Sequence, residues 1–139
     1  MTENTKDIQA QLARVPIFSG LSSRQLGKLA ESCRTTTHQA GHEMAKEGEG
    51  ALALHIILDG TAEVTVHGRP RRELHAGDYF GEISLIDGKK RSASVTATTA
   101  LHTLAVPHGP FQQLVQREPG VAAGLLTLIC ARLREAEAD

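Results

Sequence analysis

Aromatic side chains are scarce in this chain of 139 residues: it has no tryptophan, one tyrosine and three phenylalanines. A core must therefore be aliphatic, and a 40% hydrophobic content is enough to build one. Cysteine is nearly absent as well. Cys33 and Cys130 lie far apart, and the opening MTENTKDIQAQ lacks the apolar run of a signal peptide. A cytoplasmic protein with two reduced thiols is the expectation. No stretch approaches the roughly 20 apolar residues of a membrane span. Net charge is −1 with an isoelectric point near 6.7, which gives no support to nucleic-acid binding beyond a local patch at Arg69, Arg71 and Arg72. The length suits one domain spanning 1–139.

The pattern of what is present divides the chain in three. In 1–34, Ile8, Leu12 and Val15 recur at helical spacing until Pro16. Ser22 then offers an N-cap with Gln25 as its reciprocal partner, followed by a stripe of Leu26, Leu29, Ala30 and Cys33. Across 35–106 the period becomes two, punctuated by glycines. Leu52, Leu54, Ile56 and Leu58 alternate with Ala53, His55 and Ile57, and Ala62, Val64 and Val66 with Glu63, Thr65 and His67. Asp59-Gly60 between these runs predicts a hairpin, and His67-Gly68 a second turn. Many short strands with glycine turns imply an antiparallel sandwich or barrel. After Pro110 helical spacing returns. Phe111, Leu114 and Val115 predict a short helix broken near Pro119-Gly120. Val121, Leu125, Leu128, Ile129 and Leu133 predict a longer one.

One segment interrupts the alternation. In FGEISLIDGKKRSASV, residues Gly81 to Ile86 have the apolar content of a helical turn, and Arg91 returns on the next strand. A glycine ahead of a short helix lets a ligand approach free backbone N–H groups. The Arg91 guanidinium can fork onto phosphate oxygens, and Glu82 offers an acceptor for a sugar hydroxyl. A ligand with a phosphate and a ribose would use all of these groups.

That segment resembles the phosphate-binding cassette, here 80–95, of the cyclic-nucleotide-binding domains found in kinase regulatory subunits, bacterial catabolite activators and gated channels. VPIFSGLS resembles the family's helical entry and AGHEMAKEGEGALALHIILDGTAEV its first strands. The resemblance implies a mainly β fold, an antiparallel jelly roll (double-stranded β-helix), with N-terminal helices and C-terminal hinge and lid helices over 110–137. It implies that Arg91 pairs with a cyclic phosphate and that Glu82 accepts from the ribose 2′-hydroxyl. Amides near Ser84 and Ser92 would meet phosphate oxygens, Gly81 and Ile83 would line the ribose, and Ala93 completes the ligand set. Ser92 stands where members favouring cGMP often carry threonine, and cAMP is the expected ligand, with cGMP the alternative. The family usually covers the purine with a large lid side chain. Here Leu133, Ile129 or Arg132 would have to serve. With no DNA-binding domain expected after the lid, the partner would be an effector protein or another copy of the chain.

Plainer readings compete. Glu82 and Arg91 would make an ordinary ion pair in a fold without ligand, serving only as an interaction domain. Jelly rolls also include metal-dependent cupin-like enzymes, but His38 with His42 and His67 with His75 lack the His-x-His spacing. No nucleophile with a base is evident, so neither catalytic residues, metal nor cofactor is expected.

Overall fold

A computed structural model describes residues 4–48, 53–81, 89 and 91–138. Helix α1 (Thr5–Ala13) opens on Asn4, whose side chain accepts from the Asp7 N–H. A 3-10 turn (Pro16–Phe18) follows. Helix α2 (Ser23–Ala30) begins with the expected reciprocal cap: Gln25 N–H donates to Ser22 Oγ at 3.2 Å, and Ser22 N–H donates to Gln25 Oε1 at 2.8 Å. Both bonds satisfy donors that the helix itself cannot.

Eight strands appear among the described residues: β1 (Arg34–His38), β2 (Glu43–Ala45), β3 (Ala53–Asp59), β4 (Ala62–Val66), β5 (Arg69–Leu74), β6 (Tyr79–Phe80), β7 (Ser94–Ala97) and β8 (Leu101–Pro107). They form two four-stranded antiparallel sheets, β1-β8-β3-β6 and β2-β7-β4-β5. This is the antiparallel sandwich that the pattern implied, and the jelly roll with flanking helices that the resemblance implied. β1 begins at Arg34, inside the stretch expected to be helical.

The expected hairpin at Asp59-Gly60 is not one. β3 pairs with β8 and β6, while β4 pairs with β5 and β7, so the chain changes sheets there. Gly60, at φ 97°, sits against the backbone of Ala100 and Leu101 with no room for a side chain. Thr61 binds the neighbouring loop through Thr98 Oγ1 at 2.6 Å. Alternation sets which face a residue takes, and not which strand lies beside it. The turn at His67-Gly68 does join paired strands, with positive φ at both residues.

Both faces of the first sheet are covered. Leu54, Ile56, Leu104 and Val106 pack outward on α1, α2 and the C-terminal helices, where Phe18 meets Phe111 edge-on at 5.4 Å. Ile57 and Leu101 point inward, among Val64, Leu74, Phe80 and Val95 from both sheets. Each such aliphatic chain contributes about 1.5–3 kcal/mol on burial. The roll is held from both sides.

Helix α3 (His108–Arg117) starts two residues before Pro110, and α4 (Pro119–Ala138) starts at Pro119. Pro119-Gly120 therefore opens the last helix, where a break was expected. The break is Glu118 alone, extended at φ −119° and ψ 94°. A proline ring suits the first helical position and pushes the residue before it out of helical geometry. Along α4, Val121 and Leu125 are buried, Leu128 is half-buried and Leu133 is exposed.

Candidate functional site

β6 ends at Phe80, and Gly81 follows with φ 91°. That backbone conformation already favours glycine. Packing requires it as well: a β-carbon on Gly81 would collide with Arg91 Nη1 and lie 3.0 Å from both Arg91 Cζ and Ala53 O. The guanidinium thus rests on the bare backbone of Gly81. Its Nη2 donates to the carbonyl of Ala53, at the start of β3, at 2.6 Å. The Arg91 carbonyl accepts from Gly48 N–H at 2.9 Å, fixing the residue at its backbone too. Arg91 is only 9% exposed.

The structure therefore brings Gly81 and Arg91 together, across ten positions of sequence, by means of β3. Ser92 is exposed, and Ala93 is half-buried against the cluster between the sheets. Glu82, Ile83, Ser84 and the short helix expected over 81–86 lie outside the described residues, Gly81 excepted.

A polar chain that begins beside Arg91 was not read from the sequence, although His38 and His42 were weighed there as a metal pair. His55, on β3, stacks on Phe80 with ring centroids 5.1 Å apart, and its Nδ1 lies 2.9 Å from Thr103 Oγ1. Thr103 is fully buried and meets Thr36 Oγ1 at 2.7 Å, which meets His38 Nε2 at 2.9 Å. His38 stacks on His42 at 4.9 Å. Burial first, then the charges of Arg91 and His38, lower the His55 pKa to about 4. Burial and His42 lower that of His38. One sequence signal was available: His55 breaks an otherwise aliphatic strand. Its partners, 48 and 67 positions apart across these bonds, were not legible.

Two further histidines have local partners. His67 Nδ1 lies 3.3 Å from Glu47 Oε2, and His75 Nε2 lies 3.8 Å from Glu73 Oε1. Among the described residues no group of three or more His, Cys, Asp or Glu could hold a metal ion. No helix among them is long and apolar enough to cross a membrane. Arg69, Arg71 and Arg72 lie exposed along β5, at the edge of the second sheet. A cleft of about 140 Å³ lies between α2 and α3, lined by Arg24, Lys28, Leu114 and Arg117 among others, and includes none of the expected site residues.

On the far side of β6, Arg132 Nη2 of α4 donates to the Tyr79 hydroxyl at 3.2 Å. The last helix is thereby tied to the strand that leads into Gly81.

Comparison with known proteins bears on the family and the fold. The model of the cyclic nucleotide-binding domain matches residues 35–118. A cAMP-dependent protein kinase regulatory subunit of Emericella nidulans is 34% identical over 109 residues, covering 77% of this chain and 26% of that protein. A cyclic nucleotide-gated potassium channel of Rhizobium etli is 34% identical over 111 residues, covering 80% of this chain and 31% of the channel. The chain thus spans about a quarter to a third of the length of these relatives. Among solved structures, the regulatory domain of Toxoplasma gondii PKA with cAMP superposes with a TM-score of 0.74 at 25% identity, covering 92% of this chain and 50% of that one. On its matched segment, its fold and its relatives of regulatory type, the chain belongs to the cyclic nucleotide-binding domain family.

Proposed function

We propose that the domain is a sensor that binds a 3′,5′-cyclic nucleotide, cAMP by preference, without chemical turnover, and reports occupancy through the position of α4. The observation that carries the reading is Arg91: a largely buried guanidinium seated on Gly81 and held by the Ala53 carbonyl. A planar fork in that place suits bidentate contact with a phosphate. The side-chain-free Gly81 lets the ligand approach the backbone beside it.

The other roles follow the family motif. Glu82 accepts from the ribose 2′-hydroxyl, Gly81 and Ile83 line the ribose, and amides near Ser84 and Ser92 meet phosphate oxygens beside Ala93. The choice of cAMP is supported by a relative described as a cAMP-dependent kinase regulatory subunit and by a similar structure solved with cAMP. Regulatory subunits and channels among the relatives support control of an effector protein, or self-association, in the cytoplasm.

Thermal unfolding with cAMP and with cGMP tests the reading. A ligand at a hundredfold excess over its Kd stabilises the native state by about 2.7 kcal/mol. For a domain of this size that is a rise of several degrees in Tm. No shift with either nucleotide at millimolar concentration overturns the sensor. Hydrogen exchange tests the helix: protection is expected to rise in α4 from Leu128 onward together with the segment 81–92. Protection confined to the cassette would leave α4 as fixed structure.

A further inference from the structure

The polar chain inside the first sheet has no part in the roles given above. Aliphatic residues would fill this inner face at lower cost, because a buried hydroxyl or imidazole is unfavourable unless hydrogen-bonded. Here each is bonded in series, His55 to Thr103 to Thr36 to His38. One end, His55, stands two residues along β3 from the Ala53 carbonyl that holds Arg91, and stacks on Phe80, the neighbour of the Gly81 on which that guanidinium rests. The other end stacks on the exposed ring of His42. A titratable ring is therefore placed beside the phosphate-binding guanidinium.

We propose that His55 takes up a proton when an anionic ligand docks at Arg91, so that cyclic-nucleotide binding is proton-linked and tighter at lower pH. The inference rests on the reading of Arg91 as the phosphate residue. Its first support is the character of the groups that face His55. Arg91 comes from the cassette, neutral Phe80 from β6, neutral Thr103 and Ala105 from β8, and Thr36 and His38 from β1. Exposed Arg34 pairs with Ala105 farther along β1. Each charged or titratable group named here is cationic or neutral. Without ligand they oppose an imidazolium, consistent with a ring held neutral.

An anion at Arg91 reverses that balance, because it offsets the guanidinium and attracts a second positive charge. The hydrogen-bond chain accepts the change without moving a heavy atom. Thr103 can donate to Thr36, and Thr36 to His38 Nε2, which leaves Thr103 Oγ1 as acceptor for a protonated His55 Nδ1. In the neutral state the hydroxyls can turn the other way. At Nδ1 both protonation states are satisfied.

The sign follows from linkage. The complex holds one more proton than the free protein, so affinity rises as pH falls between the two pKa values of His55. The cyclic phosphodiester keeps its single charge from pH 7 to pH 5, so its own titration contributes nothing. An opposite charge that raises the ring's pKa by about two makes the gain about tenfold between pH 7 and pH 5.

The experiment is calorimetric titration of the full chain with cAMP at pH 5, 6 and 7, in two buffers of different ionisation enthalpy to count protons. Wild type is expected to bind about tenfold tighter at pH 5 than at pH 7 with net proton uptake. In His55→Gln the slope is expected to vanish. The His55 ring resonances should titrate at higher pH with cAMP than without, a measurement on wild type that stands even if the variant does not fold. A flat wild-type profile, an equal slope in the variant, or an unmoved ring titration overturns the proposal while leaving the nucleotide reading intact. Failure to bind cyclic nucleotide at any pH overturns both.

Discussion

Gly81→Ala is the substitution on which the site geometry makes its firmest demand. Two costs are expected, and they can be separated. The backbone at φ 91° disfavours any β-carbon, by about 1–2 kcal/mol. The new carbon would also occupy the seat of the Arg91 guanidinium and press on the Ala53 carbonyl. If the guanidinium stays, overpacking costs about 1–3 kcal/mol. If it leaves, the charged hydrogen bond to Ala53 is lost, at about 1.5–3 kcal/mol. Either way the total loss of stability is about 2–5 kcal/mol. Gly77→Ala is the control, because Gly77 has φ 95° and nothing within 4 Å of its missing β-carbon. It should lose only the backbone part. Urea unfolding at constant slope measures both, and the difference between the variants isolates the contact with Arg91. Nucleotide affinity should fall at least about tenfold in Gly81→Ala, or about 1.4 kcal/mol, and stay unchanged in Gly77→Ala. Equal destabilisation of the two variants, with binding intact in both, would show that Arg91 does not depend on this seat.

Arg91→Ala should cost about 2–5 kcal/mol of cyclic-nucleotide binding, and Arg91→Lys should recover only part, since an ammonium makes no planar bidentate contact. Calorimetry decides, and wild-type affinity in Arg91→Ala would reject the phosphate role. A 2′-deoxy cyclic nucleotide should bind about 1–3 kcal/mol more weakly than the ribo form, with the difference narrowed in Glu82→Gln. Equal affinities for wild type would remove Glu82 from the ribose. Without ligand, stability should fall as the pH drops from about 6.5 to about 4, because the unfolded chain protonates His55 first while the fold holds it neutral. The full loss is about 3 kcal/mol for this group, flat below that range, and unfolding curves of His55→Gln should lack it.

How much of this was legible depended on whether the informative contacts were local. The cap of Ser22 and Gln25 is a four-residue motif and formed as read. The segment around Gly81 and Arg91 is contiguous, so its residue types could point to a phosphate before any neighbour was known. Asp59-Gly60 misled for a physical reason. Both faces of β3 are buried, so its alternation carries no mark of the strand beside it, and the turn proved to be a corner between sheets. Pro119 was read as a stop, yet a proline ends one helix by the same geometry that opens the next. His55 was hardest to place. Its role depends on Thr103 and Arg91, which reach it only once β8 and the cassette fold back on β3.

The arrangement of α4 limits how a ligand could move it. The helix leaves α3 through one extended residue, Glu118, so the joint is short and its first turns are held by buried Val121 and Leu125. Together those side chains contribute several kcal/mol, about 1.5–3 each, and detaching them would demand a large differential affinity. Past Leu128 the situation changes. Leu133 is 58% exposed, and the bond from Arg132 to the Tyr79 hydroxyl ties that half to the roll. One such bond is worth about 1–2 kcal/mol net. A ligand that shifts β6 by acting at Gly81 therefore needs only a comparable preference to free or fix the second half of the helix. Phe80 lies on the same two-residue strand and stacks on His55, so on the proposed reading a ligand at Arg91, a proton on His55 and the hold on Arg132 would all act on β6. On the proposed reading the part expected to move is the helix beyond Leu128, pivoting on a fixed first half, and rotation of all of α4 about Glu118 is the costlier alternative.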